Sequence, residues 1–185
     1  MRVLMIRHGR VDMPWAKKYN AKEYDLAWQH YDDCDILPVT GHMEIPREAK
    51  VYVSSFKRTH QTAEQYLGVK EYTVLSDLLD EVPLRSFADV KLRLRRRWLD
   101  VLGRIQWYLP LKRQPERRRA TRQRADRLID YLEAQGDGNY VLVMHGFYMR
   151  TLGAMFRKRG YRVRNRRIFT VPNLCTVEAV KEREE

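Results

Sequence analysis

The sequence predicts an α/β fold, namely a three-layer α/β/α sandwich with a mostly parallel central sheet. Two apolar runs, residues 3–6 (Val-Leu-Met-Ile) and 140–144 (Tyr-Val-Leu-Val-Met), have the composition and length of buried parallel strands. Segments with helical spacing of apolar residues alternate with such runs, as in βαβ units. With 185 residues, 44% of them hydrophobic, the chain has the size of one domain.

The N-terminal part of the chain supplies a second strand and the first clear helix. The apolar residues within 12–45 follow neither the spacing of a helix nor that of a strand, so no element is assigned there. Residues 50–54 (Lys-Val-Tyr-Val-Ser) are the next strand candidate, and Ser55 is a candidate N-cap for a helix over about 57–67. Gly68 is expected to end that helix.

The remaining elements continue the alternation. Residues 73–75 are a candidate edge strand, and 80–83 are predicted to be a loop because Pro83 disfavours helix in the residue before it. Pro110 and Pro115 separate two later helices. The C-terminal part is therefore predicted to contain helices over about 89–109, 116–134 and 147–159, and strands at 140–144 and 176–180.

The net charge of +12 is concentrated in two segments. Residues 85–127 contain fifteen basic and four acidic residues, and residues 150–167 contain eight basic residues and no acidic one. Such segments raise the local concentration of anionic partners, although they say nothing about the fold.

Composition also bears on the compartment. The longest apolar runs are far shorter than a membrane span, and the first predicted strand begins too early to leave room for a signal peptide. Cys34 and Cys175 are far apart and lack the spacing of metal ligands, which favours reduced thiols. We therefore expect a cytoplasmic protein without a transmembrane segment.

Basic side chains follow three of the predicted strands. Arg7 and His8 come after the first, Arg58 lies in the first turn of the helix after the second, and His145 follows the strand at 140–144. Ligands bind beyond the carboxyl ends of parallel strands, so these side chains are expected to meet in one pocket. Two arginines and two histidines around one point require an anion, and a helix beginning near Phe147 would offer it free N–H groups.

Four motifs occur in the order in which they occur in the histidine phosphatase superfamily, which includes the cofactor-dependent phosphoglycerate mutases. The sequence resembles that family at Arg7-His8-Gly9, at 54–63 (Ser-Ser-Phe-Lys-Arg-Thr-His-Gln-Thr-Ala), at Leu79-Asp80-Glu81, and at the helix and strand over 127–146. The resemblance implies a phosphoglycerate mutase-like fold, a single domain over 1–185, and a basic helical cap at 85–118 within it.

The resemblance also implies a mechanism. His8 would attack phosphorus and form a phosphohistidine, with its other ring nitrogen held by a backbone carbonyl. Arg7, Arg58 and His145 would bind the phosphate oxygens and stabilise the transition state. Glu81 would act as the acid and then as the base, which requires a carboxyl able to hold a proton near neutral pH. The scheme needs no metal and no cofactor.

Some positions depart from the family pattern or stay open. Arg10 and Val11 stand where the family usually has a pair such as Glu-Thr, so Arg10 is either a substrate-binding cation or a solvated loop residue. His42 and Arg85 are further candidates for substrate binding. Asp80 competes with Glu81 for the role of the acid.

The basic stretch allows three interpretations. It can be a solvated outer face in which arginine stems cover apolar surface, or a cap that receives a small anionic phosphorylated substrate. It can also attach to nucleic acid or anionic lipid through Trp98, Trp107 and Tyr108, although no nucleic-acid motif is recognisable.

The predicted activity is hydrolysis of a phosphomonoester or related phosphoryl compound. A phosphomutase, or a phosphatase acting on phosphohistidine in a partner protein, is the nearest alternative. A non-catalytic anion-binding or scaffold protein that uses the basic helices is the alternative from another class.

Overall fold

The computed structural model describes residues 1–109, 111–164 and 171–181. The strands are β1 (Arg2–Arg7), β2 (Lys18–Tyr19), β3 (Lys50–Val53), β4 (Thr73–Val74), β5 (Leu94–Arg95), β6 (Asn139–Met144), β7 (Arg162–Arg164) and β8 (Thr176–Val180). The helices are α1 (Ala21–Asp33), α2 (Lys57–Leu67), α3 (Ser76–Leu79), α4 (Arg96–Tyr108), α5 (Arg118–Ala134) and α6 (Gly146–Lys158).

Six strands form the central sheet, in the order β4-β3-β6-β1-β8-β7. The first four of these run parallel, and β8 and β7 are antiparallel additions at one edge. The predicted α/β fold with a mostly parallel sheet is thereby confirmed. Because β3, β6 and β1 are neighbours, their carboxyl ends at Val53, Met144 and Arg7 lie side by side.

Helices cover both faces of the sheet. Successive residues of a strand point to opposite faces, so each strand contributes side chains to both cores. In β1, Met5 belongs to a core shared with α5 and α6, while Ile6 belongs to a core shared with Ala63 and Leu67 of α2. The strands of this sheet are therefore buried from both sides, which explains their continuous apolar runs.

A third apolar cluster lies beyond the sheet. Tyr19 and Tyr24, from the segment that shows no period in the sequence, pack with Leu99 of α4. The strands β2 and β5 pair antiparallel, with Lys18 opposite Arg95. The segment before β3 and the basic segment around α4 thus form one packed unit above the carboxyl edge of the sheet.

Several sequence-based boundaries were wrong. The helix expected from residue 89 begins only at Arg96, because the two residues before it pair with β2 as β5. The helix expected from residue 116 begins at Arg118, and Glu116 instead pairs with Arg124. The elements α1, α3 and β7 were not predicted from the sequence. The part of the basic stretch 150–167 that follows residue 164 lies outside the described residues.

The N-cap of α2 is a further correction. The residue at that position is Phe56, and no side chain caps the helix. Ser55 instead donates its N–H and its hydroxyl to the two carboxylate oxygens of Asp80. These two bonds fasten the loop before α2 to the loop after α3.

Candidate active site

His8 follows β1 and lies among the carboxyl ends of the parallel strands. Its Nδ1 lies 2.7 Å from the carbonyl oxygen of Gly9, so Nδ1 carries the proton and donates it. The Asn173 amide donates to that same oxygen and to the His8 carbonyl, and fixes this stretch of backbone. Within the described residues Nδ1 is the only ring nitrogen of His8 that forms a hydrogen bond, which leaves the lone pair of Nε2 available as a nucleophile.

The surroundings of His8 keep its ring neutral. Its residue is 3% exposed, and burial lowers the pKa of His8 well below its ordinary value. The positive charges of Arg58 and Arg7 lower that pKa further. A neutral imidazole is the form that can attack phosphorus, so burial supports the nucleophilic role.

His145, at the end of β6, lies beside His8 with 5.2 Å between the ring centroids. Arg58 donates from Nε to Nδ1 of His145 over 3.4 Å, so the proton of this ring is on Nε2, which lies 2.8 Å from the Ser54 hydroxyl. Burial, followed by the charge of Arg58, lowers the pKa of His145 well below its ordinary value. The two neutral rings thus avoid mutual repulsion in the free site.

Arg58 extends from the first turn of α2 and is 2% exposed. Its guanidinium lies 4.2 Å from the ring centroid of Phe56 and 4.9 Å from that of Tyr31. Nη1 donates to Asp32 of α1 at 2.9 Å. Two aromatic rings and one carboxylate therefore hold this cation against the histidines.

Arg7 is pressed against the start of α6. An atom at the Cβ position of Gly146 would lie 2.9 Å from its Nε, a distance that real side chains essentially never show. Nη1 donates to the carbonyl of Val171, while the buried Nε has no partner within the described residues. An unpartnered buried donor is costly, so its presence beside His8 favours a site completed by an anion.

A Gly146→Ala substitution is expected to displace the Arg7 guanidinium and to weaken phosphate binding about tenfold, because one charge-assisted contact is lost. The inhibition constant of inorganic phosphate measures this effect. Gly153→Ala is the matched control, since nothing lies within 4 Å of its Cβ position in the same helix. Equal inhibition constants for the two variants would contradict the proposed contact.

Glu81 reaches the beginning of α6 from the loop after α3. Its carboxylate accepts the backbone N–H groups of Val82 at 2.8 Å, Tyr148 at 2.9 Å and Phe147 at 3.1 Å. The last two belong to the free donors of the helix N-terminus, which favour a negative charge. Glu81 is thereby fixed to the start of α6, the helix that begins directly after His145. It lines the same pocket as Arg58.

A pocket of about 410 Å³ opens beside Arg58 and Glu81. Arg58, Glu81, Arg85 and Asp32 line it, together with Arg104 from the basic helix α4. Both terminal nitrogens of Arg104 donate to the carbonyl oxygen of Val82 at 3.1 Å, and its Cζ lies 3.7 Å from the ring centroid of Phe147. Arg104 therefore links α4 to the Glu81 loop.

The candidates for substrate binding lie in different places. Arg85 lines the pocket and pairs with Asp25 at 3.2 Å, so it is brought to the site. Arg10 is exposed, and its carbonyl accepts the N–H of Leu37. His42 lies against Gly68, at the opposite end of α2 from Arg58, and so is not brought to the pocket.

The sequence matches the family model of the histidine phosphatase superfamily (branch 1) over residues 3–185. The chain belongs to the histidine phosphatase superfamily. Among curated proteins, none matches the sequence significantly.

Solved structures with a similar fold align with most of the chain. The Mycobacterium tuberculosis protein of open reading frame Rv3214 has a TM-score of 0.57 and 16% identity, covering 98% of this chain and 91% of that one. A mutant phosphoserine phosphatase from Entamoeba histolytica, in complex with phosphoserine, has a TM-score of 0.56 and 15% identity, covering 96% and 89%. The α-ribazole phosphatase from Shigella flexneri has a TM-score of 0.50 and 22% identity, covering 84% and 79%.

Three residues that contact the candidate site, namely Asp32, Arg104 and Asn173, were not predicted from the sequence. Asp32 lies in the segment without a period, and Arg104 is one of many arginines in a basic stretch, so neither carried a distinguishing signal. Asn173 donates a hydrogen bond to the backbone carbonyl of His8, from which it is 165 residues away in the sequence. Within the described residues, no group of three His, Cys, Asp or Glu side chains is placed to hold a metal ion.

Proposed function

We propose that this protein is a phosphatase that hydrolyses a phosphomonoester or a related phosphoryl compound through a phosphohistidine on His8. The observation that carries the proposal is a buried, neutral His8 whose Nδ1 is held by the Gly9 carbonyl, while Nε2 has no hydrogen-bond partner among the described residues. The positive charges of Arg58 and Arg7 act on the His8 ring, and the same guanidinium groups would attract the phosphate oxygens.

The reaction proceeds in two steps. The His8 Nε2 lone pair forms a bond to phosphorus while the ester P–O bond breaks, and the leaving oxygen takes a proton from Glu81. Water then attacks the phosphohistidine and gives its proton back to Glu81, and the N–P bond breaks. Inorganic phosphate leaves, and His8 is again neutral. Arg7, Arg58 and His145 hold the phosphoryl oxygens in both steps.

Two observations support Glu81 as the group that exchanges a proton with the leaving oxygen and with water. Three backbone N–H donors fix its carboxyl group, and it lines the same pocket as Arg58. In the proposed mechanism this carboxyl group serves as the acid in the first step and as the base in the second.

The test of this function is a rapid-quench experiment with phosphoserine and 3-phosphoglycerate among the first substrates, since structural neighbours hold these compounds. We expect an acid-labile, base-stable phosphoenzyme, and inorganic phosphate released in equal amount to the alcohol. Activity is expected to persist in chelator because no step uses a metal. Transfer to an organic acceptor would indicate a mutase, and turnover only with a phosphorylated protein would indicate a protein phosphohistidine phosphatase.

Asp32 is expected to compete with phosphate for Arg58. An Asp32→Asn substitution removes this competing charge, so inorganic phosphate should bind about two- to fivefold more tightly, the range expected for a partly exposed ion pair. Asp33→Asn, an exposed neighbour in α1, is the matched control. Weaker phosphate binding in Asp32→Asn would show that Asp32 positions Arg58 rather than competing for it.

The same competition predicts a pH dependence. Burial raises the pKa of Asp32 despite the opposing charge of Arg58, so its carboxylate takes up a proton at a higher pH than a free aspartate. As the pH falls through that pKa, the ion pair is lost and Arg58 is released for phosphate. Phosphate inhibition of the unmodified protein should strengthen as the pH falls, beginning at a higher pH than the titration of an ordinary aspartate, and the profile of Asp32→Asn should be flatter.

A further inference from the structure

The helix α4 has an apolar face that points away from the rest of the protein. Its buried side consists of Leu99, Gly103 and Trp107. On the opposite side, at helical spacing, four apolar residues are about half exposed, namely Trp98 at 50%, Val101 at 48%, Ile105 at 47% and Tyr108 at 58%. An outer helix face is normally polar, so this apolar surface calls for a partner.

The exposed surface continues past the end of the helix. Leu109 and Leu111 are each 45% exposed. Together with the four residues on α4 they form a surface that we call the α4 stripe. From Trp98 to Tyr108 it is about 15 Å long at the rise of an α-helix. None of its residues lines the pocket that Arg58 and Glu81 share.

Cationic side chains lie at both ends of the α4 stripe. The guanidinium of Arg97 lies 5.5 Å from the ring centroid of Trp98, and that of Arg118 lies 4.1 Å from the ring centroid of Tyr108. Tyr108 and Leu109 also line a groove with three further arginines of the α5 N-terminus. Those three are Arg117, Arg119 and Arg122.

These cations are not neutralised locally. Within residues 1–109, 111–164 and 171–181, Arg97, Arg118 and Arg122 have no carboxylate partner. The nearby acids are engaged elsewhere, with Glu116 on Arg124 and Asp126 on Arg159. The α4 stripe thus combines half-exposed apolar side chains with unpaired positive charge.

Charge decides between the occupants of such a surface. A second copy of this chain would bring two sets of unpaired arginines together, which opposes association. A nucleic acid would match the charge but would leave the aliphatic residues without an apolar environment. An anionic bilayer offers phosphate groups at its surface and an apolar layer just below, and Trp and Tyr side chains are typical of that boundary.

We propose that the α4 stripe docks on an anionic membrane surface, with Val101 and Ile105 facing the acyl region and the flanking arginines contacting lipid phosphates. The contact lies in the plane of the interface, since the other side of α4 is buried against the protein. Within the described residues, no helix is long and apolar enough to cross a membrane. This inference does not depend on the proposed phosphatase activity.

The test is co-sedimentation of the full-length protein with vesicles of phosphatidylglycerol and phosphatidylcholine, compared with vesicles of phosphatidylcholine alone. We expect binding only to the anionic vesicles, and weakening as salt is raised. The double variant Val101→Gln/Ile105→Gln should bind at least about tenfold more weakly. The double variant Leu26→Gln/Val74→Gln is the matched control, because these residues are 53% and 47% exposed outside the α4 stripe.

Folding and self-association are measured on the same samples. Thermal unfolding followed by circular dichroism shows whether each variant is folded, and Trp98→Gln provides a second stripe variant if the double variant is not. Failure of the unmodified protein to bind anionic vesicles at low salt would overturn the proposal, as would full binding by folded stripe variants. A dimer in sedimentation equilibrium that the stripe variants abolish would assign the surface to self-association instead.

Discussion

Replacing His8 by alanine is expected to abolish the phosphoenzyme and to lower kcat/KM by about 10⁴-fold or more, the size of effect seen when a nucleophile is removed. No other described group can take its place. The neighbouring His145 is fully buried and has both ring nitrogens engaged, by Ser54 and by Arg58. The measurement is the single-turnover rate together with trapped phosphoenzyme.

Binding separates the loss of the nucleophile from the loss of the site. Arg7 and Arg58 remain in His8→Ala, so the inhibition constant of inorganic phosphate should change only a few-fold. His30→Ala, an exposed histidine of α1, is the matched control and should retain full activity. Substantial hydrolysis by His8→Ala would rule out the covalent mechanism, and it would leave the family and fold unaffected.

The meeting of Arg7, His8, Arg58 and His145 could be predicted because each of them stands at the end of a strand or at the start of a helix. Apolar runs before His8 and His145 identify buried strands, and parallel strands bring their carboxyl ends to one edge. The structure brings Arg7, His8, Arg58 and His145 together in this way, with His8 and His145 in ring contact. Local sequence carried this information, since each side chain stands at a strand or helix end.

The contacts of Asp32 and Arg104 with the candidate site could not be predicted from the sequence, because packing between distant segments of the chain positions both side chains. Asp32 is aimed at Arg58 by α1, a helix whose buried residues Tyr24 and Ala27 face α4 rather than the sheet. Arg104 is aimed at the Glu81 loop by α4, whose exposed side is the more apolar one. A rule that places apolar residues inward assigns the faces of α4 wrongly, and so misplaces its arginines.

The adjacent carboxyls Asp80 and Glu81 show what packing adds to a motif. Sequence left both as candidates for the acid. In the structure both oxygens of Asp80 are occupied by Ser55, whereas Glu81 lies at the N-terminus of α6 and lines the pocket with Arg58. Asp80 therefore fastens two loops, and Glu81 is the better candidate for the acid.

A Glu81→Gln substitution is therefore expected to lower the rate of phosphoryl transfer from an alkyl phosphate by about 10²- to 10³-fold, the usual contribution of a positioned acid. With an aryl phosphate the loss should be much smaller, because its leaving oxygen needs no proton. The amide cannot accept all three N–H groups, so thermal unfolding of each variant is compared as well.

Asp80→Asn is the matched control, since it makes the same change of group one residue earlier. It loosens the contact with Ser55 and should slow alkyl phosphate turnover only a few-fold, with no dependence on the leaving group. The leaving-group dependence carries the distinction, because a loss of fold or of phosphate binding would slow both substrates alike. If Asp80→Asn instead spared the aryl phosphate and slowed the alkyl one, the acid would be Asp80, and Glu81 would serve only to cap α6.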